Sequence, residues 1–170
     1  MKDFFTPDYM FATFDAVTPA FLQSIGVRAL LIDIDNTLAP YEQAEPDAAL
    51  LSWLEELTKN GIRLAIVSNN QGERIHRFAK NLGLPVFAKA GKPLPKAFRR
   101  AMAQLGVQPS QTACLGDQIY TDVLCGKWAR LQWTVLVPPI KDKTDLFTRF
   151  KRLIEKPVMK KYWRRQTHDR

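Results

Sequence analysis

Asp33 ends the apolar run Leu30-Leu31-Ile32 and is followed two positions later by Asp35, then by Asn36-Thr37. On an extended segment, side chains at i and i+2 point the same way. At the carboxyl end of a buried parallel strand they face the crevice where open α/β sheets bind ligands. Two carboxylates so placed reach one substrate, and the chemistry they suit is phosphoryl transfer. Asp33 would attack phosphorus, and Asp35 would protonate the leaving oxygen and later take a proton from water. Like charges this close need a counter-ion. Magnesium suits the role, because it prefers oxygen ligands, keeps several waters and binds phosphates through one or two protein carboxylates. The same Asp-x-Asp-x-Thr pattern also makes an ordinary strand-to-turn exit in which Asp, Asn and Thr bond to nearby backbone.

Three further groups decide between these readings. Leu64-Ala65-Ile66-Val67 runs into Ser68-Asn69-Asn70, where a hydroxyl and the amides of a helix start can hold phosphoryl oxygens. Ser68 serves equally well as a helix cap. Thr37 and Asn69, beside the two strand ends, are candidate substrate contacts. Ala90-Gly91-Lys92-Pro93 places Lys92 just ahead of a helix opened by Pro93, where its charge can neutralise a phosphoryl group. Lys89 and Lys96 compete for that role, Lys89 earlier in the loop and Lys96 inside the helix; a solvated surface lysine is the plain alternative for each. Cys114-Leu115-Gly116-Asp117 ends another strand, with Asp122 one turn further on. Asp117 can bind the metal, Gly116 lets the backbone turn closely, and Asp122 can orient Lys92 or a metal-bound water. As a helix cap and a first-turn acid, the two aspartates also have an ordinary explanation. The coincidence outweighs these explanations, because each group falls at a strand exit.

The elements that must position these groups alternate. Arg28 to Ile34 and Ile62 to Val67 read as buried strands, and Val86 to Ala88, Thr112 to Leu115 and Trp133 to Val137 as shorter ones. Leu50, Trp53, Leu54 and Leu57 share one face of a helix that starts near Pro46 and stops at Asn60-Gly61. Ile75, Phe78, Ala79 and Leu82 repeat the pattern before Gly83, as do Ala97, Phe98, Ala101, Met102 and Leu105 before Gly106. Such alternation predicts an α/β fold with helices on both faces of a parallel sheet.

At 170 residues and 46% hydrophobic composition the chain is one globular domain, residues 1–170, with a basic helix and tail over 141–170. Its amino end lacks a basic region followed by a long apolar one, and no stretch approaches bilayer span, so the expected location is cytoplasmic. Cys114 and Cys125 have neither metal nor redox spacing and read as reduced, packed thiols.

Taken together, Asp33-Ile34-Asp35-Asn36-Thr37, Ser68, Lys92 and Gly116-Asp117 through Asp122 resemble the four motifs of the haloacid dehalogenase-like phosphatase superfamily, over roughly Val27 to Pro139. The resemblance implies a Rossmann-like sheet in the order 5-4-1-2-3. It also implies magnesium held by the carboxylates of Asp33 and Asp117 with the backbone carbonyl of Asp35. Over almost the whole chain the sequence is similar to a narrower group, the YqeG family, itself similar to mitochondrial phosphatidylglycerophosphate phosphatases. Pro7-Asp8-Tyr9, Lys92-Pro93-Leu94 and Gly116 to Val123 carry that likeness.

Many members of the superfamily insert a cap domain that closes over small substrates. Here Leu38 to Val67 is used up by a short flap around Tyr41 to Glu45, one helix and one strand, and Asn69 to Gly91 by a helix and a short strand, so no cap domain is expected. An open site suits a phosphate presented on something large. Of the net charge of +8, residues 141–170 carry +7, from eleven Lys or Arg against four Asp or Glu. Lys160, Lys161, Arg164 and Arg165 surround Tyr162 and Trp163, which suits an anionic lipid surface, peripheral on the inner face of the membrane, and also suits RNA. Leu146, Phe147, Phe150, Leu153 and Ile154 recur at helical spacing and can pack on the sheet. The aromatic segment from Phe4 to Phe14 can join such an interface or pack beneath the sheet. The expected activity is magnesium-dependent hydrolysis of a phosphomonoester on a lipid headgroup such as phosphatidylglycerophosphate. The alternatives are a soluble sugar phosphate, nucleotide or phosphoprotein as substrate, or an RNA- or ribosome-associated binding protein.

Overall fold

The computed structural model describes residues 4–70, 73–80 and 82–141, so the predicted helix and tail from 142 onward lie outside the described residues. The elements run β1 (Tyr9–Met10), α1 (Pro19–Ser24), β2 (Ala29–Ile32), α2 (Ala48–Lys59), β3 (Arg63–Val67), α3 (Glu73–Lys80), β4 (Val86–Phe87), α4 (Lys96–Leu105), β5 (Thr112–Gly116), a π-helical turn (Ile119–Val123) continuing into α5 (Leu124–Ala129), and β6 (Trp133–Leu136). All strand pairs are parallel, and the sheet order is β1-β6-β5-β2-β3-β4.

The five predicted strands keep the expected order 5-4-1-2-3, lying as β6-β5-β2-β3-β4, and the observed order differs from it by one strand added at the edge. The sheet has six strands, because Tyr9–Met10 adds an edge strand on β6, in register with Val135 and Leu136. Two residues are too short to show an alternation in sequence. What holds them is Asp8, whose carboxylate accepts from the Thr134 backbone N–H and hydroxyl at 2.8 Å each and from Lys127 Nζ at 2.6 Å. Phe11 and Phe14 pack against the core as one of the two alternatives had it, while Phe4 and Phe5 stay exposed, Phe5 lying against Tyr120.

The pleat of β2 divides the core. Leu30 and Ile32 face α2 and α3 through Leu50, Trp53, Leu57, Ile75 and Phe78, whereas Ala29 and Leu31 face α4 and α5 through Phe98, Ala101, Met102 and Cys125. With both faces covered, the central strand β2 is apolar throughout. Helix α2 starts at Ala48, close to the expected start near Pro46, and is capped by Asp47, which accepts from Leu50 N at 2.9 Å. Helix α5 lies close on the sheet: a Cβ at Gly126 would sit 2.7 Å from Cys114 Sγ and 2.7 Å from the Thr134 methyl. Cys114 and Cys125 are free and buried, as expected. Among the described residues no helix is long and apolar enough to cross a membrane.

The predicted strand through Ile34 is shorter than expected, since β2 leaves the ladder at Ile32. Asp33 N nonetheless donates to Leu115 O at 2.9 Å, which keeps Asp33 in register with the end of β5. The carboxyl ends of β2, β3 and β5 thus open side by side, where the candidate residues lie.

Candidate active site

Three loops from neighbouring strands converge on Lys92. Its ammonium donates to Asp33 Oδ1 at 2.6 Å and to Asp122 Oδ1 at 2.6 Å, and all three side chains are buried. Lys92 is set by its own backbone as well as by its charge. Its N–H donates to Asn69 Oδ1 at 2.7 Å, and Asn69 Nδ2 donates back to Lys92 O at 3.1 Å. Asn69, a candidate substrate contact, therefore clamps the lysine loop to the end of β3. Lys89 and Lys96 are exposed and hold neither carboxylate, so the fold selects Lys92 among the three lysines.

Asp35 sits on the more open side of the cluster, half-buried where Asp33 is buried. Ser68 Oγ donates to Asp35 Oδ2 at 3.3 Å and accepts from Asn70 N at 3.0 Å, a local turn ahead of α3, which begins at Glu73, and not a cap on its first turn; it faces the second carboxylate. Thr37 is buried, its hydroxyl directed at Asp117 Oδ1 at 3.4 Å. Asp122 is fixed on its other oxygen, Oδ2, by Gln118 N at 3.2 Å and Thr121 Oγ1 at 3.3 Å. Gly116 makes room for it: a Cβ there would lie 2.3 Å from Asp122 Cγ.

The charges do not balance. Asp33, Asp117 and Asp122 each offer a carboxylate oxygen within 4.8 Å of the others, around one ammonium. Burial alone would push Lys92 down, but Asp122 and Asp33 outweigh it and hold the ammonium well above its ordinary range. The deficit of positive charge falls on the carboxylates. Burial pushes Asp33 up to about 7, with Lys92 opposing and Asp122 and Asp35 adding, and burial together with Asp122 and Asp33 pushes Asp117 well up. A buried, oxygen-only, over-negative donor set can hold a divalent cation, and the residues present fit one.

The description "haloacid dehalogenase-like hydrolase" matches residues 19–130, the stretch that carries every group described above. The chain belongs to that family. This hydrolase is 35% identical over 159 residues, covering 94% of its own chain and 92% of the relative, to "Probable phosphatase YqeG" of Bacillus subtilis (strain 168). Its fold is shared with the cobalt-bound deoxy-D-mannose-octulosonate 8-phosphate phosphatase of Haemophilus influenzae, with a TM-score of 0.55, 18% identity and coverage of 75% of each chain. CbbY of Rhodobacter sphaeroides in complex with phosphate has the same fold, with a TM-score of 0.54, 16% identity and coverage of 71% of this chain and 90% of that one. The hydrolase is a phosphatase, and its substrate carries a phosphate.

Two residues of the hydrolase's mouth escape sequence reasoning. Asn70 Nδ2 donates to the Tyr41 hydroxyl at 2.7 Å, joining the flap after β2 to the loop after β3. The only sequence signal is an aromatic in a short flap, and a separation of 29 positions along the chain conceals the pairing.

Proposed function

We propose that this phosphatase is a magnesium-dependent phosphomonoesterase that works through an aspartyl-phosphate on Asp33 and acts on a phosphate presented by a lipid headgroup, phosphatidylglycerophosphate being the candidate substrate. The observation that carries the chemistry is the pairing of a buried Asp33, held by Lys92 at 2.6 Å, with a half-buried Asp35 two residues on, held by Ser68 at 3.3 Å. One carboxylate is withdrawn and fixed, as a nucleophile needs; the other faces the open side, where a leaving group departs.

In the first step an Asp33 oxygen bonds to phosphorus, the bond from phosphorus to the ester oxygen breaks, and the leaving oxygen takes the proton of Asp35. In the second, water attacks phosphorus and gives a proton to Asp35; inorganic phosphate departs and the Asp33 carboxylate is restored. Lys92 holds the phosphoryl oxygens and Ser68 steadies Asp35 in both steps, while Asp122 positions Lys92. A magnesium ion held by the Asp33 and Asp117 carboxylates and the Asp35 backbone carbonyl would supply positive charge against the phosphoryl oxygens. Such an ion also removes the charge deficit of the cluster.

Support for a lipid headgroup comes from the chain between the motifs and from the tail. Among the described residues only the flap and α2 intervene between β2 and β3, and only α3 between β3 and β4; this fits an uncapped site. The basic, aromatic stretch from Lys160 to Arg165 fits an anionic surface, with a cytoplasmic protein peripheral to the inner face of the membrane.

The test is phosphate release with magnesium from phosphatidylglycerophosphate in anionic vesicles, compared with sugar phosphates, nucleotides and a phosphopeptide. Lipid is expected to give the highest kcat/KM, and Asp33→Asn to reduce turnover to background while the protein stays folded. Retained magnesium-dependent hydrolysis by Asp33→Asn refutes the mechanism. Faster turnover of a soluble ester, with no vesicle binding by the full chain, refutes the lipid assignment.

A further inference from the structure

The flap is tied at two points to loops on either side of the mouth. On one side Tyr41 accepts from Asn70, in the loop after β3, at 2.7 Å. On the other, Lys141, in the segment after β6, lies 3.4 Å from Glu42, and that segment is bound to the first catalytic loop by Ile140 N donating to Asn36 O at 2.9 Å. Through these two ties the flap is joined to the loop after β3 on one side and, by way of the segment after β6, to the loop that carries Asn36 on the other. The tie through Tyr41 falls on the Asp35 side. From Asn70 the hydrogen bonds continue through Ser68 Oγ, at 3.0 Å, to Asp35 Oδ2, at 3.3 Å. Tyr41 as a residue is 41% exposed.

We propose that Tyr41 is a specificity-determining residue: its ring forms the wall against which the leaving group of the phosphate ester lies, and Asn70 holds the ring there, in line with Asp35. This rests on the phosphomonoesterase reading and deepens it by naming the substrate class, esters whose leaving group has a portion next to the ester oxygen that lays a C–H or aromatic face on the ring, as the glycerol carbons of the candidate headgroup can and an aryl group does more fully. Inorganic phosphate and the aspartyl-phosphate have no such portion. Neither gains from the ring, so the wall acts on the first half of the reaction only. Amphipathic rings are suited to such a position because they offer a broad apolar surface with few torsions to freeze.

The experiment compares wild type, Tyr41→Phe, Tyr41→Ala and Asn70→Ala in the full chain with magnesium. Esters with an aryl leaving group (4-nitrophenyl phosphate) and a minimal one (methyl phosphate) are used, with kcat and KM read separately and inorganic phosphate as the competing inhibitor. Tyr41→Ala is expected to lower kcat/KM for the aryl ester about tenfold more than for the methyl ester, the scale on which an apolar pocket discriminates. The inhibition constant of inorganic phosphate should stay at the wild-type value. Tyr41→Phe, which keeps the ring, should recover most of the loss, and Asn70→Ala should fall between. Equal losses on both esters, or a shifted phosphate constant, would mark Tyr41 as structural and overturn the proposal, as would no change at all. Binding of benzylphosphonate and methylphosphonate, read by calorimetry, needs no turnover. The same tenfold difference on Tyr41→Ala is expected there, and its absence overturns the proposal. If wild type binds with that preference yet hydrolyses no ester, the phosphomonoesterase reading fails and the assignment of Tyr41 stands.

Discussion

Replacing Gly116 by alanine tests how closely Asp122 and Lys92 are built together. The added Cβ would lie 2.3 Å from Asp122 Cγ and 2.4 Å from its Cβ and Oδ2, where ordinary contact begins at 3.4 Å. Asp122 must therefore retreat by about 1 Å, the difference between those two values. Gly116 ends a buried strand, and its backbone is not among the positive-φ glycines, so the effect is steric and not conformational. The retreat opens the 2.6 Å ion pair with Lys92. At an effective dielectric near 20, lengthening such a pair by about 1 Å loses roughly 1–2 kcal/mol, and overpacking adds about 1–3 kcal/mol. For a domain of this size a loss of this order lowers Tm by roughly 5–15 °C. Displacing a charged positioning group by about 1 Å costs on the order of 100-fold in turnover. Thermal unfolding and magnesium-dependent hydrolysis of 4-nitrophenyl phosphate read the two effects together. The decisive control is Asp122→Gly, which removes all three clashing atoms: in that background Gly116→Ala should be close to neutral, a non-additivity expected only if the two side chains compete for one space. Wild-type Tm and turnover for Gly116→Ala alone, or full additivity in the double variant, refutes the reasoning.

Two further outcomes follow from charges elsewhere in the fold. Asp8→Ala removes the acceptor of three hydrogen bonds, two from Thr134 on β6 and one from Lys127 on α5; it should cost about 1–3 kcal/mol in urea unfolding and leave turnover unchanged, because the site lies on loops that Asp8 does not touch. Asp33 and Asp117 have folded pKa values above their unfolded ones. Between the unfolded carboxylate range and about 7 for Asp33, the metal-free folded state binds more protons than the unfolded one, so its stability falls as pH rises through that window. Magnesium displaces those protons, so the Tm gained on adding it should grow from pH 6 to pH 8; a gain that shrinks with rising pH contradicts the assignment of Asp33 and Asp117 as ligands.

Sequence determined the local half of this protein. Strand exits carrying Asp33, Asp35, Ser68 and Asp117 are legible because a carboxylate or hydroxyl ending an apolar run is placed by the strand's own period. The faces of α2, α3 and α4 are legible because their apolar spacing is that of a helix. The structure keeps these seams buried on the two faces of the sheet. Only the tertiary structure decided which groups meet. In sequence Lys92 stands apart from Lys89 and Lys96 only by its place ahead of Pro93; the two carboxylates that hold it are 59 and 30 residues away, a meeting no local pattern shows. Tyr9–Met10 becomes a strand because Asp8 finds Thr134, 126 residues on, and Tyr41 becomes part of the mouth because it meets Asn70. A contact between distant residues depends on the order in which strands assemble, and that order is set by the packing of whole faces, a property that no single segment carries.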